Sequence, residues 1–211
     1  MNFAEELTRV LPDDLPWRSE LIDKAAHHLA LIVEANTHFN LTRITNPREA
    51  AIKHILDSVA PWRLFMKAKH VLDAGTGAGL PGIPLSVVLP EVRFTLSEST
   101  QKKAHFVEAA AQTLALPNVT VNARRAEDFL KEQPVDLITA RAVAPVIRAL
   151  GLFAPAIRAG ARVLLYKGPD AELEIAEAAQ DARKRQVRVR VVERYELPDG
   201  LGTRTIIEMA R

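Results

Sequence analysis

Four glycines, at positions 75, 77, 79 and 82, fall within eight residues, directly after the apolar pair Val71–Leu72 and Asp73. Glycine takes positive φ without a steric penalty and lets a ligand approach the backbone closely. The stretch HVLDAGTGAGLPG at 70–82 therefore reads as a short strand, a tight turn and a helix beginning near Ile83. Amide N–H groups at a helix start lack acceptors within the helix and point at whatever lies before it. Such a turn, placed after the first strand of a parallel α/β sheet, binds a nucleotide.

The glycines are spaced G-x-G-x-G-x-x-G rather than G-x-G-x-x-G, and Asp73 stands two residues before the first. An acid there repels a pyrophosphate but attracts an ammonium group, directly or through water. S-adenosylmethionine (SAM) carries an ammonium and a sulfonium and no phosphate. The second apolar strand, Arg93–Ser97, ends in Glu98, a carboxylate suited to accept both ribose hydroxyls. These features favour SAM. A dinucleotide-binding Rossmann domain and a purely structural glycine turn are the competing readings.

A chain of 211 residues suits one domain with an appendage. It has no cysteine, so disulfides, thiolate zinc sites and a cysteine nucleophile are excluded, and no metal site is expected. The first residues, MNFAEELTRV, lack a basic and apolar leader pattern. No apolar run approaches the ~20 residues that span a bilayer. A cytoplasmic, monomeric protein is expected. The net charge of +2 is small, so the placement of the basic residues matters more than their sum.

Residues 1–65 read as helical and form an N-terminal segment packed on a core domain at 66–211. Phe3, Leu7 and Val10 or Leu11 fall at helical spacing, and Pro12 and Pro16 end that helix. Ser19 is expected to cap the next, with Leu21, Ile22, Ala25, Ala26, Leu29, Ile32 and Val33 on its buried side. Asn46-Pro47-Arg48-Glu49 reads as a cap with proline in the first turn. His54 and Asp57 follow one helical turn apart. They are either a solvated or capping pair, or a pair at the pocket mouth that orients a loop containing Asn40, Thr42 and Arg43. From residue 70 strands and helices alternate, which predicts a mostly parallel, Rossmann-like sheet of seven strands with helices on both faces. Gly200 and Gly202 are expected between the last two strands.

In such sheets ligands sit beyond the carboxyl ends of the strands. Glu98 and Lys102 follow the second strand, and Arg125, Ala126 and Glu127 the third. Arg141 follows the fourth, Lys167 the fifth, and Arg204 lies in the final hairpin. An amide near Ala126 and the Glu127 carboxylate suit an adenine edge, although acids also favour any helix start. Lys102, Arg125, Arg141, Lys167 and Arg204 on one rim suggest an anionic macromolecule. Arg188 and Arg190 alternate with valines, which reads as an edge strand with its arginines outward, or as an RNA backbone contact.

The motifs NLTRI (40–44), HILDS (54–58), LDAGTGAGLPGIPL (72–85), LSESTQKKAHF (96–106), RRAEDF (124–129), ARAVAP (140–145), KG (167–168) and GTRTII (202–207) resemble those of the bacterial 16S ribosomal RNA guanine-N7 methyltransferases, the glucose-inhibited division protein B family. The resemblance implies a class I SAM-dependent methyltransferase that modifies guanine N7 in the 530 loop of 16S rRNA. It implies SAM contacts from Gly75, Leu80, Ala126, Glu127 and Arg141, and RNA contacts from Lys102, Arg125, Lys167 and Arg204. Glu98 stands where the family commonly has Asp, which shifts the ribose contact by one methylene.

Guanine N7 has an in-plane lone pair, so attack on a methyl group needs no general base. The ARAVAP end of strand four accordingly lacks the carboxylate and aromatic that exocyclic-amine methyltransferases carry there. Catalysis then rests on alignment, a term that can reach ~7–11 kcal/mol. Arg141 is the candidate catalytic residue; it is expected to hold SAM, guanine O6 or a phosphate, since donating to N7 would block attack. Gly77 and Asp73 complete the expected cofactor site, and Gly77→Ala is expected to crowd the turn. A non-catalytic RNA-binding protein and an NAD-dependent oxidoreductase are the alternatives.

Overall fold

The computed structural model describes residues 2–142 and 144–211. Seven strands form one sheet: β1 (His70–Ala74), β2 (Arg93–Ser97), β3 (Val119–Asn122), β4 (Leu137–Arg141), β5 (Arg162–Lys167), β6 (Arg188–Glu196) and β7 (Thr203–Ala210), in the order β3-β2-β1-β4-β5-β7-β6. Among the described strands, β7 runs against the direction of the other six. β1 pairs with β2 on one side and β4 on the other, so the strand order reverses there and opens a crevice above its carboxyl end. Every residue of β1 is buried, as expected of a strand covered on both faces.

Side-chain alternation along β1 sends Val71 to one layer and Leu72 to the other. The first layer holds α1 (Phe3–Val10), α2 (Arg18–Asn36), a helical run over 47–59, α5 (Gly82–Val88) and α6 (Gln101–Thr113). The second holds α7 (Ala126–Glu132), α8 (Val146–Arg158) and α9 (Ala171–Arg185). Leu21, Leu29, Ile32, Ile52 and Ile55 from the N-terminal helices are fully enclosed in the first layer. Each such side chain contributes roughly 1.5–3 kcal/mol by leaving water.

Two local expectations need correction. Ser19 does not cap α2: the helix starts at Arg18, behind Trp17 at φ 55, and no side chain caps it. The Arg18 guanidinium instead donates to the carbonyls of Thr8 and Leu11, fastening α2 to the end of α1. The Asn46 cap does form, with Oδ1 accepting from Glu49 N–H at 3.1 Å. The helix it starts, however, is not regular. After α3 (Pro47–Ala50) it widens into a π-helical segment, Ala51–Leu56, before α4 (Asp57–Val59).

The last two strands join through Gly200 and Gly202, both at positive φ. β6 is the sheet edge, as its alternation predicted. Its arginines are engaged within the protein: Arg190 with Glu208 at 2.7 Å, and Arg188 with the Arg211 carbonyl at 2.6 Å.

Candidate active site

The glycine turn is held from three sides. Gly75 and Thr76 N–H donate to the Ser97 carbonyl at 2.9 and 3.1 Å, tying the turn to β2. Asp73 Oδ2 accepts from Thr76 Oγ1 at 2.6 Å and from Gly82 N–H at 2.9 Å. A Cβ on Gly82 would lie 2.1 Å from Leu96 and 2.8 Å from that same oxygen, so only glycine fits there. From below, the ring of His28 on α2 donates through Nε2 to the Ala78 carbonyl at 2.8 Å. His28 is fully buried, and burial pushes its pKa down to about 4, so the ring is neutral.

The reason given above for glycine at 77 does not hold. A Cβ there meets no atom of the described residues within 4 Å, so none of them crowds it; glycine is favoured by the φ of +61. Its N–H donates to Glu98 Oε2 at 3.2 Å. Asp73 also differs from expectation. One of its oxygens serves the turn itself, and the carboxylate is wholly buried. Burial raises its pKa to about 6. Oδ1 has no hydrogen-bond partner among the described residues, an unusual state for a buried carboxylate oxygen.

Beside the turn lies a cleft of 230 Å³ whose lining includes Gly75, Glu98, Arg125, Ala126, Glu127 and Phe153. Glu98 reaches it from the end of β2, its Oε1 accepting from Thr100 N–H at 2.7 Å. Ala126 and Glu127 begin α7, where first-turn amides lack helical acceptors. Arg125 precedes them with its side chain two-thirds exposed.

A second cleft, of 440 Å³, includes Arg141, Tyr166, Lys167, Gly168 and Arg204 in its lining. Ala144 borders both clefts. The structure thus groups Arg141, Lys167 and Arg204 on one side and Gly75, Glu98, Arg125, Ala126 and Glu127 on the other. Lys102, Leu80, Gly77 and Asp73 line neither. Lys102 is exposed on the first turn of α6. Leu80 is buried in the core, its N–H donating to the Thr76 carbonyl. Val143, within ARAVAP, lies outside the described residues.

The cations of the second cleft are anchored. Lys167 Nζ donates to the Ala144 carbonyl and to Glu174 Oε2, each at 2.6 Å. The same Glu174 oxygen accepts from Val146 N–H at 2.7 Å, capping α8. Arg141 donates from Nη1 to the Lys53 carbonyl at 2.9 Å and to Asp57 Oδ2 at 3.2 Å. Arg204 Nε lies 3.0 and 3.1 Å from the two Asp57 oxygens. Tyr195 O–H donates to Asp57 Oδ1 at 3.1 Å.

Asp57 and His54 are therefore not a solvated pair; both are buried. His54 Nε2 and Thr42 Oγ1 are 3.0 Å apart, and Asn36 Oδ1 accepts from Leu41 N–H at 2.8 Å, so the NLTRI loop is fastened at two points. Burial, and then the charge of Arg141, lower the His54 pKa to about 3. Tyr166, Glu174, Tyr195 and His28 went unnoticed in the sequence. Only His28 left a signal there, since it falls on the apolar face of α2 between Ala25 and Ile32.

The strand order, the single reversed strand and the glycine turn at the switch point define a class I, Rossmann-like methyltransferase fold. Solved structures agree: a magnesium protoporphyrin IX methyltransferase from Synechocystis PCC 6803 with bound SAM superposes at a TM-score of 0.62 and 15% identity, covering 87% of this chain and 97% of that one. The tomaymycin-synthesis O-methyltransferase TomG from Streptomyces achromogenes, in complex with SAM, gives 0.59 at 17% identity, covering 87% and 90%. Residues 21–200 match the family model described as rRNA small subunit methyltransferase G, and the chain belongs to that family. A relative named ribosomal RNA small subunit methyltransferase G from Solibacter usitatus is 69% identical over 99% of this chain and 100% of its own length. One of the same name from Sorangium cellulosum is 40% identical over 84% of this chain and 76% of its own.

Proposed function

We propose that this protein transfers the methyl group of SAM to guanine N7 in the 530 loop of 16S rRNA, as a monomer in the cytoplasm, acting on the small ribosomal subunit or its precursor. One observation carries the reading: the glycine-turn cleft and the arginine-lined cleft meet at Ala144, at the carboxyl ends of the strands. A donor in the first and a base in the second can then react across one loop. Residues 66–211 form the methyltransferase domain in this reading, and residues 1–65 support it.

The first cleft suits SAM. Open space lies beside Gly77, Glu98 stands at the cleft wall, and the unpartnered Asp73 Oδ1 is an acid close behind the turn. Gly75, Gly77, Glu98, Ala126 and Glu127 would hold the cofactor, with Asp73 shaping the turn. SAM supplies an electrophilic methyl group on a sulfonium that leaves as a neutral thioether. The chain therefore has no proton to remove or deliver. Arg141, clamped by Lys53 and Asp57, orients the acceptor at O6 or a phosphate and leaves N7 free. Arg125, Arg204, Lys102 and Lys167 are the proposed RNA contacts; exposed Arg125 is open to a strand, whereas Lys167 acts from within its ion pair with Glu174.

The test uses small-subunit RNA from cells lacking the gene, incubated with the protein and SAM and mapped by mass. A single methyl group on a guanine of the 530 loop is expected, removable as N7-methylguanine. No transfer, with SAM still raising the melting temperature, would make this a non-catalytic binding protein. Stabilisation by NAD instead of SAM would make it an oxidoreductase.

A further inference from the structure

We propose that Asp57 is the positioning residue of the acceptor cleft, its one carboxylate setting Arg141 and Arg204 side by side so that their remaining N–H groups grip the RNA strand bearing the target base. The inference rests on the methyltransferase reading above. Asp57 is 1% exposed, yet it accepts from Arg141 Nη1, Arg204 Nε and Tyr195 O–H, which come from β4, β7 and β6. Arg204 and Tyr195 are register partners on adjacent strands, so both reach the carboxylate from one place.

Each arginine spends only part of its donor set inside the protein. Arg141 Nε and Nη2, and Arg204 Nη1 and Nη2, make no hydrogen bond among the described residues. Both side chains line the cleft with partial exposure, 16% and 25%. Guanidinium is a planar fork suited to a phosphodiester or a guanine O6. Two such cations within reach of one point repel each other unless an anion lies between them. Asp57 is that anion. Three cleft cations against Asp57 and Glu174 leave one positive charge in excess, enough for one phosphodiester. Asp57 sits directly after the π-helical segment, and its backbone N–H reaches back five residues to the Ile52 carbonyl. Widened turns of this kind recur at functional sites.

Asp57→Asn keeps the shape and removes the charge. Single-turnover methyl transfer to small-subunit RNA is expected to fall at least fiftyfold, with SAM affinity by calorimetry within twofold of wild type. Preference for small-subunit RNA over an unrelated RNA of equal length is expected to fall at least tenfold, although the cleft becomes more positive. The double variant Asp57→Asn/Arg204→Gln should be no more than threefold below Asp57→Asn, because both changes break one unit. Tyr195→Phe, which removes one donor and no charge, should raise the KM for RNA at least threefold without changing SAM affinity. Transfer by Asp57→Asn within threefold of wild type, multiplying effects in the double variant, or an unchanged KM for Tyr195→Phe would each overturn the proposal. Failure of the underlying reading looks different: wild-type protein then transfers nothing, and the RNA-preference comparison decides the role of Asp57 by itself.

Discussion

Glycine is favoured at 77 and required at 82 for different reasons, and the two substitutions should fail differently. Gly82→Ala drives a methyl group into Leu96 and the Asp73 carboxylate. Overpacking of this kind costs about 1–3 kcal/mol, so the variant is expected to melt several degrees lower whether or not SAM is present. Gly77→Ala has room for its Cβ but must hold φ +61, at a cost of roughly 1–2 kcal/mol. Its methyl group projects into the open space beside the turn. We expect it to fold, to melt a few degrees lower, and, unlike Gly82→Ala, to bind SAM at least tenfold more weakly by calorimetry. Wild-type affinity in Gly77→Ala would remove that residue from the cofactor site.

Among the elements, the β4–α8 connection decides whether the two clefts stay aligned, and it is held by a latch. Glu174 on α9 takes the first amide of α8 and the Lys167 ammonium, which in turn takes the Ala144 carbonyl. Glu174→Ala removes the two bonds that Glu174 accepts, each worth about 1 kcal/mol or somewhat more where charged, and frees the Lys167 ammonium to leave the Ala144 carbonyl. Methyl transfer should drop at least tenfold in a single-turnover assay while the protein stays folded. The latch also separates Lys167 from the other basic residues. Because Glu174 already neutralises it, Lys167→Ala should leave the salt dependence of RNA binding almost unchanged, whereas Arg125→Ala should lower that slope by about one. Equal slopes for the two variants would show that Lys167 leaves its ion pair with Glu174 and neutralises a phosphate outright. These pairings bear on what a sequence can reveal. The turn at 75–82 and the strands around it were legible because glycine spacing and apolar runs are local signals. Asp57 and Arg204 are 147 residues apart, and nothing near either announces the other. The π-helical widening before Asp57 is itself an ordinary AIKHIL stretch with no glycine or proline to mark it. Lys167 read as a free cation because Glu174, seven residues on, is brought back only by the packing of α9.

For the molecule as a whole, buried ionisable groups set the response to acid; three of them sit at the site, and His70, whose pKa burial also lowers, adds to the two histidines among them. His28 pins the glycine turn from α2, His54 holds the NLTRI loop, and Asp73 closes the turn between β1 and α5. The two imidazoles have folded pKa values near 4 and 3 against 6.5 when exposed. Between those limits the unfolded chain binds protons that the folded one refuses, so stability falls as pH drops below 6.5. Asp73 works the other way. Its folded pKa near 6 exceeds 3.8, so the folded chain gains a proton first and recovers some stability as pH falls through that window. Two histidines outweigh one aspartate, and at 1.36 kcal/mol per unit the net loss by pH 4 is on the order of 3 kcal/mol. The melting temperature should therefore decline steadily from pH 6.5 to pH 4, a range in which surface ion pairs such as Arg48–Asp199 remain charged. His28→Gln can keep a donor near Nε2 and has nothing to protonate. It should melt lower than wild type at pH 7.5, where the lost packing shows, and decline less steeply between pH 6.5 and 4. Parallel declines for the two proteins would mean that the His28 ring does not take up a proton on unfolding, and the acid response would then have to come from His54 and from His70, whose pKa burial also lowers.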